Sequence, residues 1–189
     1  MTSDPEFTFR PLAEGDLPLL HRWLNNPEVA RWYPMDGPGT DHPFLAQIIE
    51  HYGPRMRGGE GTDPTDCYVM LADGKPMGYI QCYRIGDHPE YAAEIDHDDD
   101  AWATDLFIGE DDFRNRGMGA TILRAFIRDE ILTRPGVETL MINPVPENAR
   151  AIRCYEKAGF RHVKTVWVQS EESYEYVMTQ TRAEFEAAS

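Results

Sequence analysis

Residues 109–120 read GEDDFRNRGMGA and combine arginines with glycines in a chain whose formal net charge is -15 at pH 7. The preceding segment WATDLFI, residues 102–108, has the apolar character of a strand, and apolar residues recur at helical spacing after Gly119. A loop with Arg114 and Arg116 between a strand and a helix start would aim backbone N–H groups and guanidinium groups at an anion. The same glycines can also serve close packing only, so this stretch alone supports both interpretations.

The spacing of these glycines excludes two common nucleotide-binding motifs. Ile122 stands where the third glycine of a dinucleotide-binding fingerprint would stand. No Gly-Lys-Ser or Gly-Lys-Thr follows, as a nucleotide P-loop would require. Neither class of nucleotide-binding protein is therefore indicated.

The composition predicts one globular domain over residues 1–189. A length of 189 residues suits one domain, and 41% hydrophobic with 27% charged residues is a globular composition. The start MTSDPEFTFR lacks the features of a secretory signal, and no run approaches the ~18 apolar residues of a membrane span. We therefore expect a cytoplasmic protein, monomeric or homodimeric, that has no membrane partner.

The charge balance points to a cationic partner. The chain holds 18 Lys and Arg against 33 Asp and Glu, so its field repels nucleic acid and attracts cations. Residues 87–112 contain eleven acids without a single Lys or Arg, although such a run is usually a solvated face. The alternative is that the acidity only maintains solubility.

The cysteine pattern favours neither disulfides nor a metal site. Cys67, Cys82 and Cys154 are odd in number, far apart and without a CxxC pair. We expect reduced, structural thiols and no bound metal.

Periodicity and turn residues predict a mixed chain of helices and strands. Asp73-Gly74 between two apolar runs predicts a hairpin, Asn148 a helix N-cap, and Gly159 the left-handed end of that helix. The other predicted elements are a strand at 7–10, a helix bearing Leu17, Leu20, Trp23 and Leu24, a helix near 44–52, a loop at 53–66, a loop over 87–105 that runs into the strand 102–108, a helix from Gly119, strands at 137–142, 160–168 and 174–181, and an acidic tail.

Two stretches together resemble the Gcn5-related N-acetyltransferases. Residues 114–119, RNRGMG, are similar to the [RQ]-x-x-G-x-G segment by which that family holds the pyrophosphate of acetyl-coenzyme A (acetyl-CoA). Residues 143–160, NPVPENARAIRCYEKAGF, resemble the family's later strand, helix and turn. The resemblance implies an α/β (α+β) fold, with a mixed, mostly antiparallel sheet flanked by helices and splayed between two central strands around acetyl-CoA. The cofactor contacts that it implies are Leu106, Phe107, Ile108, Arg114, Asn115, Arg116, Gly117, Met118, Gly119, Ala120, Asn148 and Tyr155.

Within that family the chain most resembles the aminoglycoside 6′-N-acetyltransferases. The matching stretches are RAIRCYEKAGF at 150–160, RWLN at 22–25 and QTR at 180–182, whereas 53–66 and 86–101 are individual to this chain. The implied activity is transfer of acetyl from acetyl-CoA to a primary amine, the 6′-amino group of the antibiotic, which gives resistance.

The resemblance also assigns catalytic roles. Asp105 matches the acid near the target amine and would act as the base, directly or through water, since an unperturbed Asp pKa of about 3.9 makes a weak base. Without the resemblance, Asp105 is read more readily as a carboxylate that caps the following loop. Tyr155 matches the tyrosine that protonates the departing thiolate, although a helical tyrosine is otherwise often a core residue. A backbone N–H of the strand 105–108 would polarise the thioester carbonyl.

Substrate contacts are implied less directly. Trp32 and Tyr33 resemble an aromatic pair that packs on aminoglycoside rings, or they belong to the core. Asn143 stands where aminoglycoside-modifying relatives can carry aspartate, and an amide supplies no counter-charge. The acids expected to attract a polyamine are Glu94, Asp96, Asp98, Asp99, Asp100 and Glu172.

Two other functions stay open. The first keeps the chemistry and changes the acceptor to a siderophore lysine derivative or a protein N-terminus. The second is a non-catalytic module that binds an acyl-CoA or a basic protein.

Overall fold

The computed structural model describes residues 5–35, 43–56, 63–98 and 100–188. The chain forms two compact units, the first made of residues 1–81 and 106–116, the second of 82–105 and 117–189. The expectation of a single domain stays a prediction. Within the described ranges, no helix is both long and apolar enough to cross a membrane.

Seven strands form one mixed sheet in the order β1-β2-β3-β4-β5-β7-β6, and β3 and β4 each contribute residues to both units. The strands are β1 (Phe7–Pro11), β2 (Asp66–Ala72), β3 (Lys75–Arg84), β4 (Trp102–Ile108), β5 (Thr139–Ile142), β6 (Arg161–Val168) and β7 (Ser173–Thr181). The helices are α1 (Leu17–Leu24), α2 (Pro27–Ala30), α3 (Leu45–Tyr52), α4 (Pro89–Ile95), α5 (Gly119–Phe126), α6 (Ala149–Ala158) and α7 (Arg182–Ala187). The pair β4–β5 is parallel, while β1–β2, β5–β7 and β6–β7 are antiparallel.

The first unit is built around the apolar face of α1, as its periodicity predicts. Leu17, Leu20, Trp23 and Leu24 are at most 4% exposed and join one core with residues of α3, β2 and β3. The predicted hairpin between β2 and β3 is confirmed, because Asp73 and Gly74 take φ values of 48° and 76°.

The second unit holds α5 and α6 close together. The predicted face of α5 is confirmed, since Ile122, Leu123, Phe126 and the following Ile127 and Ile131 are fully buried. A Cβ on Gly119 would lie 2.6 Å from the Cys154 sulfur, so only glycine allows this close approach.

The predicted ends of α6 are also confirmed, because Asn148 accepts a hydrogen bond from the Ala151 N–H (3.1 Å) and Gly159 has φ 109°.

Two predicted loops are partly helical. The prediction of a loop over 87–105 is wrong for Pro89–Ile95, where a proline in the first turn and the buried residues Ala92 and Ile95 form helix α4. The acidic tail is likewise helical over Arg182–Ala187, since Thr181 and Glu184 form a capping box. In the predicted loop 53–66, Gly53–Arg55 form a 3₁₀ turn, and residues 57–62 lie outside the described part of the chain.

Candidate active site

The point where two parallel strands stop pairing positions Asp105. β4 pairs with β5 through Trp102 opposite Leu140 and Ala103 opposite Met141. Asp105 is two residues past the last of these pairs, and it is half-buried. The splay that the resemblance implies is therefore present in the second unit, with a carboxylate at its start.

Glu175 is a second acid of this site, and sequence reasoning missed it. It lies on β7, is only 9% exposed, and its Oε2 accepts a hydrogen bond of 2.8 Å from the Tyr91 hydroxyl. Burial above all, and then the charge of Asp105, raise the pKa of Glu175 to about 8. The strand alternation of SYEYVMTQT places Glu175 on the same face as buried Val177, which is the signal that could have identified it.

A small polar network surrounds Glu175. The Asn143 side-chain nitrogen donates to the Tyr91 hydroxyl over 2.9 Å, and the Asn143 amide also contacts Glu175. The Asn143 Oδ1 is buried and has no hydrogen-bond partner among the described residues. Burial raises the pKa values of Tyr83 and Tyr91 well above normal, with further contributions from Asp105 and Glu175. Both phenols therefore stay neutral.

Tyr155 is placed in the same unit by α6. Its side chain is half-buried, and within the described ranges its hydroxyl makes no hydrogen bond. Burial chiefly, then Cys154 and Asp105, raise the pKa of Tyr155 far above its usual value. Tyr155 is thus a neutral phenol whose pKa is influenced by Asp105, and in this state its hydroxyl still carries a proton.

The start of α5 leaves backbone donors unsatisfied. Its N-cap, Met118, provides no side-chain cap, so the N–H groups of the first turn are available to an anion. Gly117 has φ 77° with no atom within 4 Å of a hypothetical Cβ, so the backbone there is open. Asn115 also has a positive φ, 60°, and Ala120 lies in the first helical turn.

Arg114 and Arg116 differ in their partners. Arg114 donates to the Gly109 carbonyl (3.2 Å) and to the Asp111 carboxylate, and its side chain is 12% exposed. Arg116 is exposed and makes no ion pair or hydrogen bond with any described residue. Of these two arginines, Arg116 is therefore the one whose guanidinium stays available to an anion among the described residues.

The other predicted cofactor contacts have structural roles that the fold makes visible. Phe107 is 8% exposed and stacks on Tyr79 with ring centroids 5.4 Å apart, so its side chain belongs to the core. Leu106 and Ile108 are half-buried, and Asn148 caps α6. Their contacts with a cofactor stay predictions.

Glu94, Asp98 and Asp100, three of the predicted acids of the 94–100 segment, use their carboxylates in contacts within the protein. Glu94 accepts hydrogen bonds from the Ser170 N–H (3.0 Å) and hydroxyl (2.9 Å), which lower its pKa. The Asp96 carbonyl accepts from Lys164. Asp98 accepts from the Thr139 hydroxyl, Asp100 pairs with Arg84, and Asp99 lies outside the described residues.

The remaining predicted substrate contacts are placed separately. Glu172 is exposed in the turn between β6 and β7 with φ 48°. Tyr33 packs edge-on against Phe107 at 4.9 Å and belongs to the margin of the first unit's core. Trp32 is half-buried, and the Arg31 guanidinium lies 4.7 Å from its ring centre. Within the described ranges, no group of three His, Cys, Asp or Glu could hold a metal, and the three cysteines are free thiols.

The end of β4–β5 pairing and the uncapped start of α5 fit an acyl-CoA-dependent transferase. The chain belongs to the GNAT acetyltransferases, since the family model described as "Acetyltransferase (GNAT) domain" matches residues 13–168. It is accordingly an acetyl-CoA-dependent N-acetyltransferase with a GNAT fold.

Known proteins similar to this chain share most of its length. Aminoglycoside N(6′)-acetyltransferase type 1 of Klebsiella pneumoniae is 32% identical over 184 residues, which is 97% of this chain and 87% of the relative. A crystal structure of aminoglycoside acetyltransferase AAC(6′)-Ib in complex with coenzyme A and kanamycin superposes with a TM-score of 0.83, at 29% identity over 96% of this chain and 98% of that one. Lysine N-acyltransferase MbtK of Mycolicibacterium paratuberculosis is 26% identical over 164 residues, 84% of this chain and 66% of the relative.

Proposed function

We propose that this enzyme transfers the acetyl group of acetyl-CoA to the 6′-amino group of an aminoglycoside. The observation that carries the proposal is the half-buried Asp105 at the strand splay, with a second, buried acid, Glu175, in its electrostatic reach. Glu175 forms no ion pair with a described Lys, Arg or His, and a buried acid of this kind near Asp105 suits a substrate with several ammonium groups. The similar proteins that act on or bind aminoglycosides support the same substrate class.

The chain's own residues divide the binding work. The uncapped N–H groups that begin α5 are candidate donors to the cofactor's phosphates, because no side chain caps them. Arg116 is a candidate phosphate donor in its own right, because it is exposed and makes no ion pair or hydrogen bond among the described residues. Bound acetyl-CoA supplies the activated acetyl group as a thioester. Gly119 keeps α5 against α6, and α6 in turn carries Tyr155.

Asp105 and Tyr155 divide the proton work. Asp105 attracts the substrate ammonium and accepts its proton, directly or through one water, so that the neutral amine can attack. Tyr155 stays a neutral phenol because burial raises its pKa, and its hydroxyl hydrogen-bonds the departing sulfur and gives it a proton as negative charge develops there. Asp105 therefore takes up one proton in each reaction, and Tyr155 releases one.

A second candidate keeps the chemistry and changes the acceptor. The similarity to a lysine N-acyltransferase favours an ammonium on an aliphatic side chain, such as a siderophore lysine derivative. This relative is 26% identical, against 32% for the aminoglycoside enzyme, and covers less of the chain. The aminoglycoside is therefore our first choice.

The test is thiol release by the purified protein with acetyl-CoA and kanamycin. The control substrate is an aminoglycoside that carries a hydroxyl group at the 6′ position. We expect turnover with kanamycin, a product acetylated at N6′ by NMR, and no turnover with the hydroxyl analogue. Equal rates on both would exclude the 6′ position, and the absence of thiol release with every aminoglycoside would exclude the substrate class.

Resistance is a separate part of the proposal. Bacteria expressing the wild-type chain should tolerate more kanamycin than bacteria expressing Asp105→Asn at the same protein level. Equal inhibitory concentrations would show that the enzyme does not confer resistance, whatever its activity in solution.

A further inference from the structure

We propose that Glu175 is a specificity-determining residue that binds a second ammonium group of the substrate while Asp105 receives the amine to be acetylated. The inference rests on the proposed function and deepens it. It concerns one side chain on β7 and its two polar neighbours, Tyr91 and Asn143.

The first observation is a buried acid that lacks a counter-ion. Glu175 is 9% exposed, and no described Lys, Arg or His forms an ion pair with it. A buried carboxyl group without a cation favours its neutral form, and a cation that binds beside it would restore its charge. Tyr91 and Asn143 provide hydrogen bonds that fix its position and no charge that neutralises it.

The second observation is independent of the acids. The Oδ1 of Asn143 is buried and has no hydrogen-bond donor among the described residues, although its Nδ2 is engaged by Tyr91. Leaving a buried acceptor without a donor is unfavourable, because the acceptor has lost its hydrogen bonds to water. An ammonium carries three N–H donors, so one group could satisfy Asn143 Oδ1 and neutralise Glu175 together. A water molecule could satisfy the amide only.

The third observation links Glu175 to the reacting end of the site. The charge of Asp105 acts on Glu175, and it acts on Tyr83, Tyr91 and Tyr155 as well. The two acids therefore belong to one electrostatic cluster. A rigid ring system with several ammonium groups can meet both acids at once, whereas a substrate with a single amine meets only Asp105.

Binding of the second ammonium releases a proton. Four groups influence the pKa of Glu175: Tyr91 of α4, Asp105 of β4, Asn143 after β5 and Glu171 of the turn before β7. Glu175 in turn raises the pKa of Tyr83 on β3. Its partner across the β6–β7 pair is the uncharged Val166. Because burial and Asp105 raise its pKa to about 8, Glu175 is largely protonated at pH 7 in the free enzyme. An arriving ammonium favours the carboxylate, and the proton passes to solvent. Binding should therefore tighten as the pH rises towards 8.

The experiment compares Glu175→Gln with the wild type on kanamycin. A hydrogen bond to a charged group contributes about 1.5–3 kcal/mol, so we expect KM for kanamycin to rise about 10–100-fold. The fall of KM between pH 6.5 and 8 should disappear in the variant. The matched control is Glu138→Gln, which removes the same charge from an exposed residue just before β5 and should leave KM unchanged.

A charge-relocation variant separates charge from packing. Asn143→Asp combined with Glu175→Gln returns one carboxylate to the network from β5, and KM should recover to within about threefold of wild type. A single variant with wild-type KM, or a folded double variant no better than the single one, would overturn the inference. Either result leaves the proposed function intact, because each is measured as turnover of kanamycin. A wild-type enzyme that acetylates no aminoglycoside would overturn the proposed function and this inference together.

Discussion

Glu110 in the first unit and Glu175 in the second are both partly or fully buried glutamates, but their hydrogen-bond partners differ in charge. Glu110 accepts from the Trp23 indole (2.9 Å) and from the Arg22 guanidinium (3.1 Å for one of two bonds), which hold its pKa below the usual range. Glu175 has only neutral donors, and its pKa rises to about 8. The charge of Glu110 is therefore balanced within the protein, whereas a cation that balances Glu175 would have to come from a bound ligand.

The same distinction applies to the two arginines of the loop before α5. Arg114 is tied to Gly109 and Asp111, while Arg116 is exposed and unpaired among the described residues. We expect the charges that are engaged within the protein to contribute to stability and the others to ligand binding, and each of the following variants tests this expectation.

The largest effect is expected at Asp105. Asp105→Asn keeps the shape and removes the proton acceptor, so kcat should fall about 10²–10⁴-fold. Acetyl-CoA binding, measured by calorimetry, should be unchanged, since the pyrophosphate donors lie elsewhere. A fall of less than threefold would show that Asp105 is not the base, and loss of cofactor binding would point to misfolding.

The pH dependence of stability should expose Glu175. Its pKa is raised from 4.5 to about 8, so the folded state holds a proton that the unfolded state loses between those values. The free energy of unfolding should therefore fall with rising pH in this window, by up to about 1.4 kcal/mol per pH unit from this group. Denaturant titrations from pH 5 to 8 should show this slope in wild type and a flatter one in Glu175→Gln. Equal slopes would contradict the buried, unpaired state of Glu175.

The arginines should separate binding from stability. Arg116→Ala should raise KM for acetyl-CoA about 10–100-fold and leave the unfolding temperature unchanged, because it breaks no bond among the described residues. Arg114→Ala should lower the unfolding temperature, since it frees Gly109 and Asp111. The reverse assignment of the two effects would show that Arg114 is the cofactor ligand.

The smallest effect is expected at Glu110. Glu110→Ala leaves the buried Trp23 indole without its acceptor and Arg22 without its partner, which should lower the free energy of unfolding by about 1–2 kcal/mol. KM and kcat for kanamycin should match wild type. Changed kinetics in a stable variant would contradict the structural role of this pair.

The sequence predicted what depends on local patterns. The hairpin at Asp73-Gly74, the face of α5 and both ends of α6 follow from turn chemistry and helical spacing, and the structure confirms them. Asp105 and Tyr155 were assigned through resemblance, because no local rule distinguishes them from a loop cap and a core tyrosine.

The missed features depend on tertiary structure. Helix α4 lies in an acid-rich stretch without a clear apolar periodicity, so the sequence did not indicate a helix there. Its buried residues, Ala92 and Ile95, are recognisable only from their packing in the core. Glu175 was overlooked because its partners, Tyr91 and Asn143, are distant in sequence and meet it only in the folded chain. Likewise the bonds that Arg114 and Glu94 make within the protein depend on neighbours that spacing does not specify.

The most direct test of the account is a crystal structure of this protein with coenzyme A and kanamycin. The account predicts the 6′-amine within about 3.2 Å of the Asp105 carboxylate, and a second ammonium within the same distance of Glu175. Electron density that places the 6′-amine away from Asp105, with the pyrophosphate bound at Arg116, would contradict it.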